Sequence, residues 1–143
     1  MIIGLDTSFV VQLEVAGHPG HEQARTMRDS RLNAGDRFAL APQVLAEFVH
    51  VVTDARRFER PLSVEAALSR AGAWWNADEV APVYPNEHTV TLFLGWLRDH
   101  RLGRKRLLDT LLAATYFTNE VTAIVTANAR DYSVFASFEV LST

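Results

Sequence analysis

Asp6, Glu47, Asp109 and Asp131 are scattered along a 143-residue chain, and each stands where an apolar run meets a turn or a helix. Carboxylates far apart in sequence that end strands or face inward from helices can converge at one edge of a sheet. Once together they repel one another, and a hard divalent cation is the usual remedy. The pattern points first to metal-dependent phosphoryl-transfer chemistry of the kind a nuclease performs.

Each acid also has a plainer reading. Asp6 follows Ile2-Ile3-Gly4-Leu5 and precedes Thr7-Ser8, so it could be a helix N-cap, although three capping residues in a row exceed what one cap requires. Glu47 lies in a helix whose apolar side is Val44, Leu45, Phe48, Val49 and Val52, and His50 shares its face. It is either a surface charge or a site residue. A di-iron bundle would need a second Glu-x-x-His pair and two further glutamates, which this arrangement does not supply. Asp109 is the sharpest case, because it alone interrupts Leu107-Leu108-Asp109-Thr110-Leu111-Leu112-Ala113-Ala114. A carboxylate buried among those leucines would need a cation or several donors. Asp131 has the geometry of a first-turn acid behind an Asn128 N-cap, so a capping role competes with a catalytic one.

The elements that must position these residues follow from periodicity. Strands are expected at Met1–Leu5, Arg37–Ala41, Glu79–Val83, Val121–Thr126 and Phe138–Leu141. Helices are expected at Thr7–Val15, His21–Leu32, Pro42–Val52, from Ser63 to Trp75 or Asn76, at Glu87–His100 and at Leu107–Phe117, with a single turn over Asn128–Val134. Short apolar strands alternating with helices predict a parallel, doubly wound α/β sheet in one domain spanning residues 1–143. Ligands of such sheets bind beyond the strands' carboxyl ends, near the topological switch point. Asp6 and Asn128 to Asp131 follow strands directly and should fall there.

Composition narrows the class. A hydrophobic fraction of 48% and a charged fraction of 22% are ordinary for a water-soluble domain. Cysteine is absent, which excludes disulfides and zinc–thiolate sites. The apolar N-terminal run stops at Asp6 with no preceding base, so it reads as a strand rather than a signal peptide, and no stretch reaches membrane-spanning length. A cytoplasmic protein is expected. The net charge of −3 runs against nucleic-acid binding, but its distribution matters more. Five of the 14 basic residues fall between Arg98 and Arg106, and three between Arg56 and Arg60. Arg104, Lys105 and Arg106 run into Asp109, suggesting a phosphate-binding rim beside an acidic site, against the ordinary reading of a solvated charge run. Trp74, Trp75, Phe93 and Trp96 have core spacing and read as packing.

Four segments together resemble the PIN domain: the strand end Leu5-Asp6-Thr7-Ser8, the mid-chain Leu45-Ala46-Glu47, Leu108-Asp109-Thr110-Leu111-Leu112-Ala113-Ala114, and Val125-Thr126-x-Asn128-x-x-Asp131-Tyr132. Within that family the chain is most similar to VapC-type toxins of bacterial toxin–antitoxin pairs. The resemblance covers nearly the whole chain. It implies a three-layer α/β/α sandwich with a central parallel sheet, Mg²⁺- or Mn²⁺-dependent RNA cleavage, a homodimer, and inhibition by a small VapB-like antitoxin. By position, Asp6, Glu47 and Asp109 match the family's acidic triad. At the fourth position many members carry an aspartate where this chain has Asn128, whereas Asp131 matches an acid that others carry three residues later. Thr7 or Ser8, and Thr126, fall where the family keeps hydroxyls near the metal.

The implied mechanism has Asp6 and Asp109 ligating Mg²⁺ directly or through water, one metal being expected rather than two because Asn128 is neutral. A water acidified by the metal and oriented by Glu47 or Asp131 would attack the scissile phosphate in line, leaving a 5′-phosphate and a 3′-hydroxyl. An aspartyl-phosphate phosphatase is disfavoured, since Ser8 stands where such enzymes carry a second aspartate. A non-catalytic PIN-like module binding RNA or protein is the alternative that Asn128 favours.

Overall fold

The computed structural model describes residues 1–143. Five parallel strands, β1 (Ile2–Leu5), β2 (Arg37–Leu40), β3 (Val80–Pro82), β4 (Ala123–Thr126) and β5 (Glu139–Ser142), form one sheet in the order β3-β2-β1-β4-β5. Six helices flank it: α1 (Thr7–Glu14), α2 (His21–Asn33), α3 (Pro42–Val52), α4 (Val64–Trp75), α5 (Glu87–Asp99) and α6 (Leu107–Thr118). By contact they form two groups. In one, α1 packs on α2 and α3, and α3 packs on α4; in the other, α5 packs on α6. This is the expected three-layer α/β/α sandwich.

The strand order explains where a site must lie. From β1 the chain builds outward through β2 and β3, then returns to add β4 and β5 on the other side. The switch point therefore falls between β1 and β4, where Leu5 is paired with Val125. The ladder continues one step, with the Asp6 amide donating to Val125 O at 3.2 Å. Asp6 and Thr126 are thus neighbours at the carboxyl end of the two central strands.

Close packing of α6 on β1 fixes the other half of the geometry. A Cβ on Gly4 would lie 2.6 Å from the Tyr116 ring, so only glycine lets the helix come this near. The Tyr116 hydroxyl donates to Leu5 O at 2.5 Å, one residue before Asp6. Asp109 precedes Tyr116 by two helical turns and so shares its face, which aims it at the end of β1. Ile3 and Leu5 alternate to the opposite face of β1, where Phe9 of α1 meets Phe38 of β2 at a 6.4 Å ring separation. Full burial of each such side chain contributes about 1.5–3 kcal/mol.

The tryptophans and phenylalanines around α5 and α6 are packing elements. Trp96 stacks on Phe135 at 4.6 Å and meets Phe117 and Phe138 edge-on, tying α5, α6 and the segment before β5 together. Trp74 donates its indole N–H to Glu14 Oε1 at 2.7 Å. In one respect the structure departs from the sequence-based expectation at α6: Leu107 and Leu108 are 41% and 70% exposed, so the leucine run flanking Asp109 is buried only on its C-terminal side. The helix begins at the solvent edge, with Leu107 and Leu108 turned outward while Thr110 of the same turn is fully buried.

Candidate active site

Asp6 occupies the N-cap position of α1, but its side chain caps nothing. Instead three hydroxyls from three different elements hold its carboxylate. Ser8 Oγ donates to Oδ2 at 2.6 Å, Thr126 Oγ1 donates to the same oxygen at 2.7 Å, and the Tyr132 hydroxyl donates to Oδ1 at 2.7 Å. The donors are themselves oriented: Ser8 Oγ accepts from the Ala127 amide at 3.0 Å, and Thr126 Oγ1 from the Asn128 amide at 2.9 Å. Asp6 is only 6% exposed, so these charge-assisted bonds offset the desolvation of an anion. Each carboxylate oxygen accepts about two hydrogen bonds. Oδ2 is saturated, and Oδ1 retains one lone pair.

Asp109, in the first turn of α6, is half-buried. Tyr132 also lies 3.3 Å from Asp109 Oδ1, so one phenol spans both acids. The Asp109 carboxyl is pushed up to about 6, chiefly by desolvation, then by the charges of Asp6, Asp131 and Glu47, with the Tyr132 hydroxyl opposing. Burial, with Asp6 and Asp109 alongside, pushes Tyr132 well above the usual phenol range, so it is a permanent donor at neutral pH.

Glu47 reaches the site from α3. Its Oε2 accepts from Thr7 Oγ1 at 3.2 Å, which ties the middle of α3 to the first residue of α1. Glu47 keeps solvent contact along its helix face, yet the walls around its carboxyl desolvate it and raise its pKa. The Thr7 hydrogen bond opposes that rise, Asp6 adds to it, and Arg57 and His50 oppose it.

Asp6, Thr7, Ser8, Glu47, Asp109 and Asn128 line one cleft of about 1140 Å³. Asp131 does not line it. It belongs to a short 3₁₀ turn (Ala129–Asp131), where Asn128 makes no side-chain cap, so the capping arrangement that the spacing allowed is not formed. Asp131 is held by Arg106, whose guanidinium donates to the Asp131 carbonyl and whose Nε lies 4.0 Å from Oδ1. Of the three basic residues expected at a phosphate rim, Arg106 is therefore turned into the chain, whereas Arg104 and Lys105 are exposed; none lines the cleft. Arg104–Arg106 form a second 3₁₀ turn leading into α6.

Sequence reasoning assigned no role to Tyr132, which carries the shortest link between Asp6 and Asp109. It also missed His18, Arg57 and Arg60, which line the same cleft from the α1–α2 and α3–α4 connections. The run of arginines from Arg56 to Arg60 was the available signal for the last two.

The donor set is all hard oxygen, and the Asp109 pKa is raised chiefly by desolvation, with the charges of Asp6, Asp131 and Glu47 adding to it, a burden on its anion that a cation would relieve. No three His, Cys, Asp or Glu side chains converge closely enough to clasp an ion directly. A cation that retains several waters needs fewer direct ligands than that, so the residues fit Mg²⁺ or Mn²⁺ held by one or two carboxylates.

The PIN domain family model matches residues 3–137, and the chain belongs to the PIN-domain family. Among curated proteins, no sequence matches it. Solved structures share its fold. VapC20 from Mycobacterium tuberculosis, a toxin that cleaves the sarcin–ricin loop, aligns with a TM-score of 0.72 at 18% identity over 94% of this chain and 95% of that one. VapBC-1 from nontypeable Haemophilus influenzae aligns with a TM-score of 0.68 at 19% identity over 99% and 98%. FitAcB from Neisseria gonorrhoeae aligns with a TM-score of 0.66 at 16% identity over 99% and 97%.

Proposed function

We propose that this PIN-domain protein is a metal-dependent endoribonuclease and the toxin of a VapBC-type toxin–antitoxin pair. One observation carries the catalytic reading: Asp6, Glu47 and Asp109, from the end of β1, the middle of α3 and the start of α6, line one cleft at the switch point of the sheet. Asp6 and Asp109 are the residues that would hold Mg²⁺ or Mn²⁺. When bound, such a cation supplies Lewis acidity toward the scissile phosphate and lowers the pKa of water.

The chain's own groups divide the remaining work. Ser8, Thr126 and Tyr132 fix the Asp6 carboxylate, so its free lone pair has one direction. Glu47 has Oε2 engaged by Thr7 and Oε1 free to take a proton from an attacking water, and its raised pKa makes it a stronger base. Asp131 is the second candidate for that orienting role; its charge is felt at Asp109. In-line attack would leave a 5′-phosphate and a 3′-hydroxyl. Exposed Arg104 and Lys105 would contact phosphates of RNA outside the cleft.

The toxin reading rests on the similarity to VapC20, VapBC-1 and FitAcB. It brings a small antitoxin partner and a homodimer. Val90 and Leu94, one turn apart on α5, are exposed apolar residues suited to a second copy. A cytoplasmic location is part of the same toxin reading; no helix is long and apolar enough to cross a membrane. Purified protein should cleave single-stranded or looped RNA when Mg²⁺ or Mn²⁺ is supplied and stop on chelation. The second reading, a non-catalytic RNA- or protein-binding module, is favoured by one observation, the neutral Asn128 on the cleft wall. It predicts poor Mn²⁺ binding and no cleavage.

A further inference from the structure

The cleft holding the carboxylates has a second end. His18 lines it from the α1–α2 connection, and Arg57, Phe58, Glu59 and Arg60 line it from the α3–α4 connection. That connection is a built loop. The Leu62 amide donates to Val52 O at 2.9 Å and closes its base. Asp54 organises the first turn by accepting from the Arg56 amide at 2.9 Å and lying 3.5 Å from Arg57 Nε. Phe58 is half-buried against the core and anchors the middle. The two arginines are thus presented from a fixed platform. Arg57 is close enough to Glu47 for its charge to be felt there, and Arg60 is exposed with no ion-pair partner.

A polyanion cannot be held by Asp6, Glu47 and Asp109 alone, because their charges repel phosphate. Arginine forks match phosphate oxygens bidentately. The rim residues Arg104, Lys105 and Arg106 do not line this cleft, so the cation supply within it comes from the α3–α4 loop. We propose that Arg57 and Arg60 form a phosphate-binding subsite for single-stranded RNA, holding the backbone on one side of the scissile bond. This rests on the ribonuclease reading above, and it assigns the α3–α4 loop the task of setting which stretch of strand crosses the carboxylates.

The test is binding of a short fluorescent single-stranded RNA to the intact protein in EDTA, across a salt series, so that cleavage plays no part. Arg60→Gln should reduce the slope of log K against log salt by about 0.7, and Arg57→Gln with Arg60→Gln by about 1.4, at the usual single-strand value per lost phosphate contact. Arg25→Gln on α2 should match wild type, and Arg60→Lys should keep the slope while weakening binding. An unchanged slope in the double variant, with wild-type RNA binding intact, overturns the subsite and leaves the ribonuclease reading standing. Wild-type protein that neither binds nor cleaves RNA overturns that reading, and the subsite with it. If the double variant loses affinity only for a polyglutamate peptide and binds RNA as wild type does, the loop docks acidic protein and the RNA subsite is wrong.

Discussion

Tyr132 donates its buried hydroxyl to Asp6 Oδ1 at 2.7 Å, joining residues 126 positions apart in the chain. The Tyr132 phenol oxygen also lies 3.3 Å from Asp109 Oδ1, so a neutral hydroxyl bridges the two acids. Tyr132→Phe keeps the ring and deletes the bridge. A hydrogen bond to a charged group contributes about 1.5–3 kcal/mol, so the variant should melt lower by several degrees while keeping its circular dichroism spectrum. Loss of a group that orients a metal ligand typically costs about 10–100-fold in affinity, and calorimetric Mn²⁺ binding should weaken on that scale. Wild-type Mn²⁺ affinity in the variant would make Tyr132 a packing residue only.

Asp109 gives a pH signature without metal. Its carboxyl, raised to about 6 by burial and by neighbouring acids, is easier to protonate folded than unfolded. Below the ordinary carboxylate pKa both states are protonated and folding carries no penalty. As pH rises through about 6 the folded state must ionise, so stability falls across that window. Asp109→Asn should therefore raise the melting temperature in EDTA at pH 7 and above, by on the order of 1 kcal/mol after allowance for solvent screening, and change little near pH 4. The same substitution should abolish cleavage. Equal melting curves at both pH values would show that Asp109 carries no such burden.

The basic segment before α6 divides in two. The Arg106 guanidinium donates to the Asp131 carbonyl and its Nε lies 4.0 Å from Asp131 Oδ1, so Arg106→Gln should destabilise the protein and disturb the Ala129–Asp131 turn. Arg104→Gln and Lys105→Gln touch only solvent-exposed charge. If these two residues bind phosphates, KM for RNA should rise with kcat unchanged, and the salt slope should flatten by about 0.7 per lost contact. Variants with wild-type KM would leave the segment a solvated surface.

Asp131 and Asn128 separate by rate and stability. If Asp131 orients the attacking water, Asp131→Asn should lower kcat with RNA binding little changed, and Asn128→Asp should strengthen Mn²⁺ binding by adding a charge to the cleft wall. If Asp131 only anchors Arg106, its loss should appear in the melting temperature and leave kcat alone.

Much of this fold was legible because its signals are local. Apolar runs of strand length, a Pro42 helix start and the Ser63 cap place the elements within a residue or two, and a carboxylate interrupting a leucine run marks Asp109. The Asn86–Thr89 capping box that starts α5 lacks the usual Ser–Glu signature and was passed over. Tyr132 carries no role in the sequence reading, since nothing near it in sequence reveals where its hydroxyl ends. The cluster Arg56–Arg60 was visible, but whether it faces the acids depends on how Phe58 and the Val52–Leu62 hydrogen bond fold the loop back. Cleft membership is a tertiary property, and charge counts along the chain do not contain it.

The most direct measurement is cleavage of a defined single-stranded RNA by purified wild-type, Asp6→Asn and Asp109→Asn proteins with Mg²⁺, with Mn²⁺ and with EDTA, reading product ends. Wild-type protein should cut with either metal, stop in EDTA, resume when metal is restored, and leave 5′-phosphate ends, while both folded variants stay silent. Undiminished cutting in EDTA, or wild-type rates in either variant, would contradict a metal-dependent carboxylate site at the β1–β4 switch point.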